Sequence, residues 1–281
     1  MRTLVLSLIV SLLVAACSNK KDFKAEPFSI EVMNKYTPVK DQGHSQSCWI
    51  YAMLATIETE HLMRGDSVNL SAAWLEQKMG TDPRAPRSGR GTCLTTVHLL
   101  QKHGVVAYDA MRTVDVPAPR RVFMFGVELT PLEFAHSVCL ADEYVGLCST
   151  TDVPYGETTV PDWPDNWDRS SYLNVERDSL VAIAERAVRT GHGVCWEGDT
   201  SERGYSFERG VARLSLLNGR TTDDHAMAIV GIARDKKAQK FFVLKNSWGT
   251  DNPYGGLVYM SFDYFREKTV ALAVPRKAFG G

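Results

Sequence analysis

Several features that would place a protein in a simple functional class are missing from this chain of 281 residues. The formal net charge is −1 and no stretch combines basic with aromatic residues, which excludes a broad electrostatic case for binding nucleic acid or an anionic membrane surface. There is no Cys-x-x-Cys pair and no Cys/His cluster at ligand spacing, so we predict no metal and no other cofactor. With 44% hydrophobic residues, the chain can instead form a large core, and even two lobes around a cleft.

The N-terminus carries a short apolar run over residues 4–14, behind the positive charge of Arg2. The run is too short to span a bilayer comfortably and is typical of the apolar part of a signal peptide. It ends in Val-Ala-Ala-Cys at residues 14–17, which resembles the bacterial lipobox, where the cysteine is lipidated and becomes the new N-terminus. An ordinary secretory signal with a chance cysteine is the alternative. We therefore predict a lipoprotein signal peptide over residues 1–17, with the lipid on Cys17.

The residues after Cys17 are polar and suit a flexible tether, which we predict over residues 18–34. Ser18 stands where inner-membrane lipoproteins often carry Asp, and this favours the outer membrane. We expect an exported protein on the periplasmic or cell-surface face, with the lipid anchor as its membrane contact.

Helical periodicity dominates the first half of the chain and strand-like runs dominate the second half. The predicted helices begin near residues 48, 71, 94, 131 and 178, and the predicted strands are 193–196, 226–233, 241–244, 256–260 and 269–274. Ser71 is a predicted N-cap, and Gly65 and Gly104 are predicted helix stops. Helices first and strands later predict an α+β fold whose two lobes meet at a cleft.

Three short motifs, far apart in the chain, carry the candidate chemistry. They span residues 42–49, 224–227 and 245–250. Taken singly, Cys48 would usually be a buried thiol, His225 a core histidine and Asn246 a turn residue. An early cysteine followed far downstream by a histidine and an asparagine is instead the order typical of a catalytic cysteine.

Together the three motifs resemble those of the papain-like cysteine peptidases, whose glutamine, cysteine, histidine and asparagine positions match Gln42, Cys48, His225 and Asn246. The resemblance implies a papain-like domain over residues 35–281. Its N-terminal lobe would be helical, its C-terminal lobe an antiparallel sheet or barrel, with the active site between them. It also implies peptide substrates, a thioester on Cys48, and a Trp248 side chain that shields the histidine–asparagine hydrogen bond from water.

Each residue type suits this chemistry. At the first turn of its helix, Cys48 would feel the positive end of the helix dipole, and an imidazolium partner would lower its thiol pKa further. His225 would pair with the thiolate and protonate the leaving amine. Asn246 would orient the ring, and the Gln42 side-chain NH₂ would stabilise the oxyanion together with the Cys48 backbone N–H.

The cysteines fit an exported protein. With lipid on Cys17 and catalysis at Cys48, four remain, which allow three connectivities; they are Cys93, Cys139, Cys148 and Cys195. Cys139 and Cys148 are close in sequence and could form a disulfide in an oxidising compartment. Small buried thiols are the equal alternative, and the sequence does not decide between the two.

Further segments narrow the resemblance to the bleomycin hydrolase and aminopeptidase C branch, among them residues 102–106, 128–131, 141–145, 172–175 and 194–199. That branch implies aminopeptidase-like activity in a compact exported form. Three features depart from the family pattern. Ser45 and Gln46 replace a Cys and a Gly, Gly89-Arg90-Gly91 replaces the paired glycines near the substrate groove, and the expected C-terminal arm is shortened to Gly280-Gly281.

Other functions fit the same motifs. One is an endopeptidase, since the shortened arm leaves the exopeptidase preference open. Another is a non-catalytic surface or periplasmic binding lipoprotein that kept the fold, which Gln46 would suit. A third is acyl transfer from the thioester to an amine. The natural substrate and the oligomeric state stay open.

Overall fold

The computed structural model describes residues 23–124, 126–215 and 221–279. The predictions for residues 1–17, including lipidation of Cys17, lie outside the described residues. The helices are α1 Cys48–Arg64, α2 Ala72–Met79, α3 Cys93–His103, α4 Pro131–Val138, α5 Arg177–Arg189, α6 Phe262–Lys268 and α7 Arg276–Phe279. The strands are β1 Ser29–Met33, β2 Val122–Met124, β3 Val127–Leu129, β4 Tyr144–Cys148, β5 Thr158–Thr159, β6 Tyr172–Asn174, β7 Val194–Gly198, β8 Tyr205–Ser206, β9 Val211–Ala212, β10 His225–Arg234, β11 Lys240–Lys245, β12 Leu257–Ser261 and β13 Thr269–Pro275.

The helix boundaries follow local chain signals. Gly65 ends α1 in the left-handed conformation, with φ at 97°. The Ser71 hydroxyl caps α2 by accepting a backbone N–H, and Thr92 with Thr95 forms a capping box at the start of α3. Gly104 ends α3. The predicted cap at Ser71 and the predicted stops at Gly65 and Gly104 are therefore confirmed.

Most strands join one sheet of 11 strands in the order β5-β6-β4-β13-β7-β10-β11-β12-β9-β8, with β1 beside β10. Its pairs are antiparallel except β12 with β9 and β4 with β6, so the sheet is mixed and mainly antiparallel. The central strand is β10. Residues 225–229 of β10 pair with β7, and residues 231–234 pair with β1.

Alternate residues of β7, β13 and the start of β10 face two different hydrophobic cores. The core around α1 to α4 receives small side chains from the sheet, namely Cys195, Ala226, Ala271 and Ala273. The core that contains α5 and α6 receives large ones, namely Trp196, Met227, Leu272 and Val274. Because the side chains under α1 are small, this helix can lie close to β10, and Cys48 shares a core with Ala226.

The ordered part of the chain begins before residue 35. Residues 29–33, which fall inside the predicted tether over residues 18–34, form β1 and pair with the end of β10. Asn34 is buried and its side-chain NH₂ donates to the carbonyls of Val188 and His192. The sequence did not reveal this strand, because its hydrogen bonds are made to residues about 200 positions away.

The disulfide lies between Cys93 and Cys195, so it joins the start of α3 to β7. Cys139 and Cys148, whose pairing was one possibility, are instead free and buried. Cys139 caps the end of α4, whereas Cys148 lies in β4 beside β13, so closeness in sequence did not bring them together. Within the described ranges, none of the helices is long and apolar enough to cross a membrane.

Candidate active site

Cys48 is the first residue of α1 and is 8% exposed. Its sulfur lies close to the backbone N–H of Ala226, the residue that follows His225 in β10, and this N–H lowers the pKa of the thiol against the larger effect of burial. The preceding residue, Ser47, does not cap the helix with its side chain, and its hydroxyl donates to Glu76 instead. The helix start therefore places the sulfur against the beginning of β10.

His225 opens β10 and is 2% exposed. Its Nε2 lies 2.7 Å from Oδ1 of Asn246, which directly follows β11. Because β10 and β11 are antiparallel neighbours, residues 21 positions apart in sequence meet at the same end of the sheet. This bond fixes the ring plane and leaves Nδ1 of His225 for the reaction.

Aromatic side chains cover the histidine–asparagine pair. The indole of Trp248 lies 4.3 Å from the His225 ring, centroid to centroid, and Tyr205 and Phe207 pack edge-on against the indole. The side-chain NH₂ of Asn246 also donates to the Tyr205 hydroxyl at 3.2 Å. Tyr205 and Phe207 were not predicted, because they lie in short β8 and just after it, in a segment without any motif.

Gln42 lies beside the same end of the sheet. Its backbone N–H donates to the Ser247 carbonyl at 2.8 Å, and its side-chain oxygen accepts from the Ser247 hydroxyl at 2.6 Å. One N–H of its side-chain amide donates to the Ser45 carbonyl at 2.8 Å, so a second N–H remains for a ligand. The amide is thereby oriented from both ends, next to the helix start at Cys48.

Burial controls the charge state of the two reactive groups. It raises the pKa of the Cys48 thiol to about 12, against the opposing influence of the Ala226 N–H. It also lowers the pKa of His225 to about 4. Both shifts favour the neutral forms of the two groups, because burial removes water that would stabilise their charges, and the thiolate–imidazolium pair expected from the sequence stays a prediction. A neutral His225 can instead accept the thiol proton.

Four charged side chains border the pair, and the sequence did not predict their grouping. Arg90 Nε donates to Asp165 at 2.7 Å, and another guanidinium nitrogen donates to the backbone carbonyl of Asp223. Glu197 is 1% exposed and accepts the Cys93 backbone N–H. Burial raises the pKa of Asp223 to about 7 and raises the pKa of Glu197 well above its usual range.

A buried ion cluster ties α1 to β11 behind the site. Glu58 of α1 accepts from Lys40 Nζ at 2.7 Å and lies 3.7 Å from Lys245 Nζ. Lys245 also donates to Thr37 at 2.6 Å, and it immediately precedes Asn246. Burial lowers the pKa of Lys245 to about 8. The cluster connects the helix of the candidate nucleophile with the strand that leads to Asn246.

The structure thus brings the predicted Gln42, Cys48, His225, Asn246 and Trp248 to one place. Their catalytic roles stay predictions, whereas their spatial grouping is an observation. Among the described residues, no group of three or more His, Cys, Asp or Glu side chains could hold a metal ion.

Comparison with known proteins shows similarities to cysteine peptidases and aminopeptidases. Residues 209–280 match the model of the Peptidase C1-like family. Ananain from Ananas comosus is 24% identical over 249 residues, which cover 86% of this chain and 58% of that protein. Aminopeptidase W from Lactobacillus delbrueckii subsp. lactis is 27% identical over 173 residues, which cover 53% of this chain and 39% of that protein. The chain spans about half the length of these curated relatives.

A solved structure, described as PepW from Lactobacillus rhamnosis HN001, superposes with a TM-score of 0.70 at 15% identity. The superposition covers 89% of this chain and 82% of that one, which confirms the predicted two-lobed α+β fold. The match over residues 209–280, the aminopeptidase relatives and the superposed fold agree: the chain is similar to the papain-like cysteine peptidases, including aminopeptidases, and it has their fold.

Proposed function

We propose that this protein is a cysteine peptidase that hydrolyses peptide bonds through an acyl-enzyme on Cys48, with an aminopeptidase-like preference. The observation that carries the proposal is the buried Cys48 at the start of α1, held against the start of β10, where Asn246 orients His225. The similarity to aminopeptidase W supports the substrate class.

Acylation would begin when neutral His225 takes the proton from the Cys48 thiol as the sulfur attacks the scissile carbonyl carbon. The C–S bond forms and the carbonyl π electrons move to the oxygen. The Cys48 backbone N–H and the free N–H of the Gln42 amide would stabilise that oxyanion. His225 would then protonate the leaving nitrogen, so that the C–N bond breaks and a thioester remains.

Deacylation would use the same groups with water as the nucleophile. His225 accepts a proton from the water, whose oxygen attacks the thioester carbonyl. The C–S bond breaks, the acid product leaves, and the proton returns from His225 to the sulfur. Trp248, Tyr205 and Phe207 keep bulk water away from the His225–Asn246 bond during both steps.

The test compares purified wild-type protein with Cys48→Ala, His225→Ala and Cys139→Ala. Fluorogenic aminoacyl and N-blocked peptidyl amides serve as substrates. We expect the first two variants to lose about 1,000-fold or more in turnover, and Cys139→Ala, which removes another buried thiol, to keep it. Undiminished turnover in Cys48→Ala would reject the proposal, and a preference for blocked substrates would make the protein an endopeptidase.

We further propose that the protein is a lipoprotein, anchored through Cys17 and exposed on the outer membrane, with the folded domain behind a short polar tether. The apolar run over residues 4–14 and the Ala-Ala-Cys sequence support this. Incorporation of labelled palmitate in a Gram-negative host tests the proposal, with Cys17→Ser as the control. Equal label in the two proteins would contradict lipidation at Cys17.

A further inference from the structure

We infer that Arg90 is a specificity-determining residue whose side chain crosses the cleft on the acyl side of Cys48. It would limit the acyl part of a substrate to one residue with a free amine. The inference rests on the proposed function, because it concerns which compounds reach Cys48. Arg90 lies between Gly89 and Gly91, where the papain-like peptidases have paired glycines near the substrate groove.

Arg90 connects two parts of the molecule. It lies in the loop before α3, within the helical half of the chain. Its Nε donates to Asp165 at 2.7 Å, and a terminal nitrogen donates to the Asp223 carbonyl, two residues before His225. The guanidinium therefore reaches from the helical lobe to the segment that leads into β10.

The Arg90 backbone is held on both sides. The Trp49 indole donates to the Gly89 carbonyl at 3.1 Å, and the Trp167 indole donates to the Arg90 carbonyl at 3.1 Å. The Arg90 side chain is 28% exposed, and its partner Asp165 is 14% exposed. Because its backbone is fixed and two of its guanidinium nitrogens are hydrogen-bonded, the Arg90 side chain is held in one position and is not a mobile surface group.

The direction of the acyl chain follows from the three substituents of the scissile carbonyl carbon. The oxygen must point towards the Gln42 amide, and the leaving nitrogen must meet His225. The remaining substituent, the acyl chain, leaves the carbon on a third side, which our inference assigns to the loop of residues 89–91. The bond to the Asp223 carbonyl holds the guanidinium two residues from His225, and the positive charge of Arg90 lowers the pKa of both the Cys48 thiol and the His225 ring.

The part of the cleft around Arg90 has more acidic than basic groups. Asp165 bonds to the guanidinium of Arg90, and the charges of Arg90 and Asp223 also interact. Within the ranges that the structure describes, no hydrogen bond or ion pair reaches the Asp223 carboxylate, which leaves it to receive a cation. A substrate ammonium group would pair with it, whereas an acylated amine would leave these charges desolvated without a partner.

The experiment measures covalent labelling of Cys48, which does not depend on turnover. The probes are alanyl chloromethyl ketone and its N-acetyl derivative, with the labelled cysteine identified by mass spectrometry. We expect wild-type protein to react faster with the free-amine probe by at least about tenfold. In Arg90→Gly the ratio of the two rates should fall at least about fivefold, through faster reaction with the acetylated probe.

Arg87→Gly is the matched control, since Arg87 is an exposed arginine of the same loop. It should keep the wild-type ratio. Asp165→Asn removes one anchor without changing residue 90 and should give an intermediate ratio, which also serves if Arg90→Gly fails to fold. An unchanged ratio in both Arg90→Gly and Asp165→Asn would overturn the inference.

The two proposals can fail separately. If turnover depends on Cys48 but the labelling ratio is the same in wild-type and Arg90→Gly protein, the peptidase proposal is supported and the specificity role of Arg90 is rejected. If no turnover is found but the labelling ratio changes in Arg90→Gly, the peptidase proposal is rejected and the narrowing of the cleft by Arg90 is supported.

Discussion

His225 and Asn246 are joined by a hydrogen bond of 2.7 Å between Nε2 and Oδ1, and the Tyr205 hydroxyl accepts from the amide of Asn246 at 3.2 Å. The Ser247 backbone N–H also donates to the same Oδ1 at 2.7 Å. The asparagine is thus fixed at both ends of its amide, and its oxygen must face the histidine ring.

Replacement of these partners should slow turnover in a graded way. Asn246→Ala frees the ring and should lower kcat about 100-fold, because a misplaced base transfers protons poorly. Tyr205→Phe removes a single hydroxyl and should lower kcat only about threefold to tenfold, with KM unchanged. Steady-state kinetics measures both. Tyr155→Phe, at an exposed tyrosine, is the control, and equal effects of Tyr205→Phe and Tyr155→Phe would contradict the positioning role.

The rate of Cys48 alkylation should rise steeply with pH. Burial raises the thiol pKa to about 12, so below that value the thiolate fraction grows about tenfold for each pH unit. Inactivation by iodoacetamide between pH 6.5 and 9 should therefore follow this slope. Peptide mass mapping separates Cys48 from the other buried thiols. A rate that is independent of pH in this range would show that the substrate-free protein holds a thiolate instead.

The Cys93–Cys195 disulfide should stabilise the fold. It closes a loop with a sequence separation of 102, and a crosslink of this span typically contributes about 2–5 kcal/mol. Denaturant unfolding with and without reductant measures this contribution, and the Cys93→Ala/Cys195→Ala variant should lose its sensitivity to reductant. In Cys17→Ser protein, unfolded without reductant, thiol titration should find three groups, Cys48, Cys139 and Cys148. A count of five would contradict the disulfide.

Glu58 should be essential to stability. Glu58→Ala leaves Lys40 and Lys245 without their carboxylate in a buried place, and loss of one partner from such a cluster costs about 3–5 kcal/mol. The double variant Glu58→Ala/Lys245→Met should recover part of this loss. Glu185→Ala, which removes a surface partner of Lys240, should cost less than about 1 kcal/mol. Similar losses for Glu58→Ala and Glu185→Ala, measured by urea unfolding, would disprove the importance of burial.

The sequence by itself determined the local features of this protein. The ends of α1 and α3 at Gly65 and Gly104, and the cap of α2 at Ser71, depend on a few neighbouring residues, so the pattern located them correctly. The residue types and chain order of Cys48, His225 and Asn246 indicated the family resemblance, because both are visible without coordinates.

Tertiary structure decided everything that depends on distant partners or on exclusion of water. β1 forms because β10 offers it hydrogen bonds, and Cys93 pairs with Cys195 because α3 starts beside β7. The pKa shifts of Cys48 and His225 follow from their burial, which no pattern of residues displays. The same holds for Arg90, since its position across the cleft depends on Asp165 and Asp223, which are far from it in the chain but adjacent in the fold.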